Sequence, residues 1–368
     1  MPNPLEPYVR YSDEVEVQQP DEDRLIHETL NSVARMGQKV FDKHRHAMRG
    51  AHAKGHGGLK GELRIYDNLP APLAQGLFRE PRTYPVMIRF STAPGDIMPD
   101  GMSSFRGLAI KVIGVDGPKL FSTEPEALTQ DFLMINRPVF PAGNIARYLN
   151  EQLLQEKVVV SAPEEAQQLL TTALRTVNAV TEKVGVELYP TALGITLPET
   201  HILGETYHTT AALRYGDYIA KISAVPASAS LQPLVGKSVK TDDPSVLRDL
   251  IVEFFQQQSA EYELRAQLCT NLETMPIEDA SIPWSEQESP YQAIAKLTIP
   301  VQETYSPARR VYVDEVLSFN AWHCIAEHRP LGSIQRVRRQ VYEASSRYRH
   351  EMNQQPKIEP RSIEEMPN

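Results

Sequence analysis

Eight short segments rich in β-branched and aromatic residues, each bracketed by turn-forming residues, constrain most strongly what this chain can fold into. Gly61–Asp67, Tyr84–Ser91, Phe105–Val112 and Asp131–Ile135 come first; Thr209–Tyr215, Tyr218–Val225, Glu261–Cys269 and Ala293–Ile299 follow. Tyr215-Gly216-Asp217 between two of them carries a hairpin signal. Eight antiparallel strands can close into a barrel, which removes the unpaired edges that an open sheet leaves exposed. Proline adds a second constraint. The chain has 29 prolines in 368 residues, against a usual ~5%, and these predict long irregular connections rather than continuous regular elements.

Helical patterns interrupt and flank the strands. From Asp21, acidic residues lead into Leu25, Ile26, Leu30, Val33, Met36, Val40 and Phe41 at three- and four-residue spacing. Pro163–Val184 and Pro244–Gln257 are two more, and the last runs from about Gly332 to Asn353. The expected fold is α+β: an antiparallel eight-stranded β-barrel with flanking α-helices. Residues 1–20 read as an extended N-terminal arm, which could embrace a neighbouring subunit. Residues 21–354 read as one domain, with a barrel core over about 60–300 and the final helix over about 332–353; 355–368 read as a polar tail.

Composition narrows the function. A net charge of −9 argues against a general nucleic-acid binder. Two cysteines, Cys269 and Cys324, exclude a disulfide scaffold and a cysteine-rich zinc site. No run approaches 18 apolar residues and the N-terminus has no apolar signal core, so a cytoplasmic protein without a membrane span is expected.

Two clusters could carry chemistry. On the last helix Arg338, Tyr342 and Arg349 fall within about 40° of one another at 100° per residue, and Ser345 shares that face. This is either a solvated cationic face with a half-buried ring, or a tyrosine whose phenolate form a guanidinium favours, which would suit ferric iron. Near the N-terminus His44, His46, His52 and His56 crowd together. They lack the spacing of a zinc motif. The glycines at 50, 55, 57 and 58 permit tight turns that could hold His52 over a pocket as a general acid–base.

Together these segments resemble the haem catalases. Arg49-Gly-Ala-His52-Ala-Lys-Gly55 is similar to that family's distal histidine segment, Pro85–Thr92 (PVMIRFST) and Phe105–Val112 (FRGLAIKV) to its barrel-strand motifs, and Arg338-Arg-Gln-Val-Tyr342 with Arg347 and Arg349 to its proximal R-x-x-x-Y segment. Ser318–Gly332 (SFNAWHCIAEHRPLG) resembles the small catalase-related haem proteins, a minimal peroxidase-like subgroup that lacks the C-terminal helical and flavodoxin-like regions. The resemblance implies haem b with ferric iron bound by Tyr342, Arg338 keeping that ligand ionised, and His52 as acid–base, positioned by Ser91. It further implies Arg49, Arg89 and Arg349 at the haem propionates, and Phe140 against the haem face. The family's distal asparagine is missing from Leu128-Thr129-Gln130-Asp131. Thr129, Gln130 or Asp131 is left as a replacement, with Asn136 too far along the chain.

The expected activity is therefore a haem peroxidase reducing hydrogen peroxide or organic hydroperoxides through a ferryl intermediate, with weak catalase turnover and an unidentified electron donor. A homo-oligomer, dimer or tetramer, is expected. The alternatives are a true catalase, an allene oxide synthase-like hydroperoxide isomerase (disfavoured by Ala51, where that subfamily has threonine), a haem carrier or sensor, and a metal-histidine protein.

Overall fold

The computed structural model describes residues 7–121, 126–158 and 197–368. The helix expected over Pro163–Val184 lies outside the described residues. Nine strand segments form one antiparallel sheet: β1 (Gly55–Ile65), β2 (Thr83–Thr92), β3 (Arg106–Ile113), β4 (Thr129–Ile135), β5 (Tyr207–His208), β6 (Leu213–Tyr215), β7 (Tyr218–Pro226), β8 (Ala260–Leu268) and β9 (Gln292–Ile299). Pairing runs β1–β2–β3–β4–β5–β7–β8–β9 and returns to β1, with β6 joined to β7 by the hairpin at Gly216. This is the expected closed barrel of eight strands, because β5 and β6 share one edge of β7 as two halves of an interrupted strand.

Two strand boundaries differ from the sequence reading, each for a local reason. The segment over Thr209–Tyr215 is broken because Thr210 takes a left-handed backbone with φ of 63°, outside the β region. The Thr209 hydroxyl meanwhile accepts the Ile222 N–H. β1 begins at Gly55 instead of Gly61, since the glycines that signal turns here pair through a bulge with Arg89–Ser91. Gly58 must lack a side chain, because a Cβ there would lie 2.5 Å from Val313 Cγ2.

Alternation along the strands separates two faces. Val86, Ile88, Phe90, Leu108, Ile110, Val112, Phe132, Met134, Ile222 and Leu264 fill the interior, and burying each large apolar side chain is worth about 1.5–3 kcal/mol. The intervening residues, among them Arg89, Ser91, Gly107, Ala109, Lys111, Leu133 and Ile135, therefore face outward. Over that outer wall lie α1 (Glu22–His44), α2 (Ile145–Val158) and, after α3 (Val246–Gln257) and α4 (Pro307–Val311), the helix α5 (Ser333–Asn353). Leu25, Ile26 and Val33 of α1 pack with Ile145 and Leu149 of α2 and Val337 and Val341 of α5.

Residues 7–20 and the C-terminal tail both pack on this body. The N-terminal segment lies along the barrel in residues 7–20: Val9 N–H donates to Cys269 O and Tyr11 N–H to Asp217 O, both 2.8 Å. Its Glu16 meets Arg336 and Arg329. The tail read as polar buries Pro360 and Met366, the latter among Met87, Ile113, Val313 and Leu317. Its Glu359 reaches a buried pair, Lys111 and Asp131, whose Nζ–Oδ1 distance is 2.8 Å.

Candidate active site

α5 is fixed at its start by Arg336, which pairs with Glu16 at 2.6 Å, Glu278 at 2.8 Å and Glu22. That anchor sets the rotation of the helix and so the direction of the face bearing Arg338, Tyr342, Ser345 and Arg349. Arg338 Nη2 donates to the Tyr342 phenol oxygen at 3.1 Å, while its Nη1 donates to Gln335 Oε1. A guanidinium has no acceptor, so the phenol oxygen receives this bond. Ser345 Oγ accepts the Gly50 N–H at 2.8 Å and so ties α5 to the segment carrying His52.

That segment joins α1 to β1. His52 has φ of 55°, in the left-handed region that histidine enters more readily than most residues. Its N–H donates to Ala93 O and its carbonyl accepts from Arg89 Nη1, each at 2.9 Å. Its Nδ1 lies 3.0 Å from Ser91 Oγ. Burial, followed by the charges of Arg89, Arg338 and Arg49, pushes the imidazole down to about 3. The ring is therefore neutral near pH 7, able to accept a proton on one nitrogen while the other is held by the serine. The Arg338 guanidinium on α5 is among the charges that disfavour the imidazolium.

The three arginines expected at one edge do converge, on a feature the sequence reading missed. After α4 the chain makes a π-helical turn, Tyr312–Val316, whose carbonyls collect guanidinium donors. Arg49 donates to Val313 O at 2.6 Å and Leu317 O at 2.7 Å, Arg349 to Asp314 O at 2.7 Å and Leu317 O at 3.1 Å. Arg89 and Arg49 both pair with the Asp314 carboxylate, at 3.2 and 3.4 Å. Two of the three cations thus share one carboxylate, and Arg349 is held by backbone carbonyls and Ser318 Oγ. Burial and the neighbouring guanidiniums of Arg89 and Arg349 hold Arg49 well below its ordinary value, and burial brings Arg349 down to about 10. Adjacent acids at 314 and 315 are the only trace of this turn in the sequence.

Other expected residues lie elsewhere. Thr129 Oγ1 donates to Glu359, Gln130 Oε1 accepts from Ile325 N, and Asp131 accepts from Lys111 and from Asn320 N. None of the three is hydrogen-bonded to His52. By register the outward row beside the imidazole is Ser91, Gly107 and Ile135, and the next is Arg89, Ala109 and Leu133. Asn136 Oδ1 accepts the Arg106 N–H. Phe140 is half-buried, edge-on to Tyr148 with centroids 5.8 Å apart; burial and nearby Tyr342 push Tyr148 up to about 12. The four N-terminal histidines do not converge: His44 pairs with Asp96, His46 with Glu315, His52 with Ser91, and His56 lies 3.4 Å from Thr92. Among the described residues the group able to gather round a cation is Asp131, His323 and Glu359, and the Lys111 ammonium already sits against it.

No protein-family model matches the sequence, and no curated protein does. Solved structures do. A fungal catalase aligns over 100% of this chain and 72% of its own length, with 17% identity and a TM-score of 0.58. A bacterial catalase aligns over 84% of this chain and 59% of its own, with 15% identity and a TM-score of 0.57. Catalase A from Saccharomyces cerevisiae aligns over 100% and 75%, with 15% identity and a TM-score of 0.58. The fold is catalase-like. Among the described residues no helix is long and apolar enough to cross a membrane.

Proposed function

We propose that the chain is a haem-dependent peroxidase that favours organic hydroperoxides. The observation supporting this reading is a pair of prepared side chains on segments tied by the Gly50–Ser345 hydrogen bond: a phenol oxygen accepting from Arg338 at 3.1 Å and a neutral imidazole held by Ser91 at 3.0 Å. The donor set suits ferric haem. Tyr342 would ligate the iron through its phenol oxygen, which Arg338 Nη2 orients by donating to it. Arg49, Arg89 and Arg349, short of negative charge, would attract the propionates, and Phe140 packs in the cluster that includes Ile334 of α5.

Bound haem supplies redox-active iron for cleaving the peroxide O–O bond. The protein's own contribution is proton movement. With Nδ1–H donated to Ser91 Oγ, Nε2 of His52 is the basic nitrogen; it takes the hydroperoxide proton and returns it to the leaving oxygen, which departs as alcohol. The second oxygen leaves as water once an external donor of two electrons and two protons is oxidised, so that ROOH + 2 e− + 2 H+ gives ROH and H2O overall. The preference for alkyl substrates is supported by the wall beside His52, where Ala109, Leu133 and Ile135 are half-buried and apolar and supply no side-chain donor to orient hydrogen peroxide.

The deciding experiment loads the protein with haem and supplies hydrogen peroxide or an alkyl hydroperoxide, following oxygen release and donor oxidation together. Donor oxidation with alkyl hydroperoxide exceeding oxygen release is expected; rapid oxygen release instead makes it a catalase. Tyr342→Phe should lose haem, and full retention would refute the ligand assignment.

A further inference from the structure

We propose that Gly107 is a positioning residue for His52: its missing side chain is the seat of the imidazole. A Cβ built at Gly107 would lie 2.5 Å from His52 Nδ1, 2.6 Å from His52 Cε1 and 2.7 Å from Ser91 Oγ. Real Cβ contacts do not come this close, so the ring leans directly on the backbone of β3. Gly107 is the register partner of Ser91, and its own backbone needs no left-handed φ. Conformational freedom is therefore not why glycine stands there.

The consequence is directional. With the Nδ1–Cε1 edge against the barrel wall and Nδ1 at the Ser91 hydroxyl, the remaining nitrogen, Nε2, is the one turned away from Ser91. His52 cannot retreat from a displacing methyl by rotating its backbone, which is held at Ala93 and Arg89. Its side chain must swing instead, and both the serine contact and the aim of Nε2 are lost together. The catalytic part of this inference rests on the peroxidase reading; the seating itself does not.

The test is a double-mutant cycle read by urea unfolding and, separately, by haem titration and alkyl hydroperoxide turnover. Gly107→Ala should lower the unfolding midpoint in the otherwise native chain. It should leave the midpoint unchanged in a His52→Gly background, where the ring is gone, Ser91 can rotate, and glycine accepts the φ of 55°. Should Gly107→Ala alone fail to fold, recovery of folding in the double variant is the same positive result. In the haem-loaded protein Gly107→Ala should cut turnover by about 100-fold, the lower end of what general acid–base catalysis contributes, with haem affinity unchanged. Equal loss of stability in both backgrounds, or failure of both to fold, overturns the seating. A stable variant with turnover within about threefold overturns the catalytic role. Loss of coupling would refute Gly107 while leaving Tyr342 untested by it, whereas intact haem binding in Tyr342→Phe refutes the peroxidase reading and leaves the stability cycle standing.

Discussion

The buried charges behind the barrel wall permit a quantitative forecast. The side chains of Lys111 and Asp131 are fully buried, with Nζ 2.8 Å from one carboxylate oxygen and 3.0 Å from the other. Glu359 approaches the same ammonium from the tail. At an effective dielectric of about 20, a unit pair at this distance attracts by roughly 5–6 kcal/mol. Desolvation opposes that gain, so the pair's net worth is small while the cost of breaking it is large, about 3–5 kcal/mol. Burial alone would lower the lysine, but Asp131 and Glu359 outweigh it and Lys111 stays raised. Asp131→Leu, which also removes the acceptor for the Asn320 N–H, and Lys111→Met should each cost about 3–5 kcal/mol in urea unfolding. The double variant should cost about 2–3 kcal/mol less than the two losses added, since neither charge is then left facing an absent partner. Simple additivity, or either single change costing under about 1 kcal/mol, would refute the picture of a tightly coupled buried pair.

Stability should fall with acid. Burial holds His328 down to about 3 and His201 to about 4, against an ordinary 6.5, and their ring nitrogens accept the Leu77 and Leu203 N–H groups. Below pH 6.5 the unfolded chain takes protons the folded one refuses, so each should remove about 1.4 kcal/mol per pH unit; urea midpoints that stay level from pH 7 to 5 would contradict this. Ser91→Ala should leave haem binding intact but reduce turnover by about 10–100-fold, the range seen when the group orienting a site histidine is lost; stopped-flow peroxide consumption checks it. Ile135→Asn places an amide in the row beside His52 and should raise oxygen release relative to alkyl hydroperoxide reduction by about tenfold, the worth of one good hydrogen bond; an unchanged ratio would show that the apolar wall does not set substrate preference.

Local signals were legible in the sequence. The hairpin at Gly216 could be read because its φ of 62° calls for glycine. Arg338 and Tyr342 could be placed on one face because helical periodicity needs no knowledge of the rest of the chain, and the observed hydrogen bond joins residues four apart. Motif resemblance located His52 and Ser91, which lie on different elements. Contacts between distant segments left no such trace. Lys111 reads as one polar residue in an alternating strand, yet its partner Glu359 is 248 positions away. Gly107 likewise reads as ordinary strand glycine until the imidazole is seen against it. The Val313–Leu317 carbonyls that gather Arg49 and Arg349 are backbone groups, and side-chain patterns carry no record of which carbonyls a turn will expose.

The order of segments along the chain has a consequence for how such a protein comes to be made. The barrel closes between β1 and β9, whereas Tyr342, Arg338 and the tail residue Glu359 all follow β9. Synthesis proceeds from the N-terminus at about 5–20 residues per second, so the wall bearing His52 and Ser91 is available before Tyr342. In the proposed peroxidase, capture of haem through Tyr342 would therefore be a closing event of maturation, not its nucleus. A ribosome-stalled chain ending after Ile299 should fold its barrel yet hold no haem, so cofactor supply would govern how quickly finished chains become active.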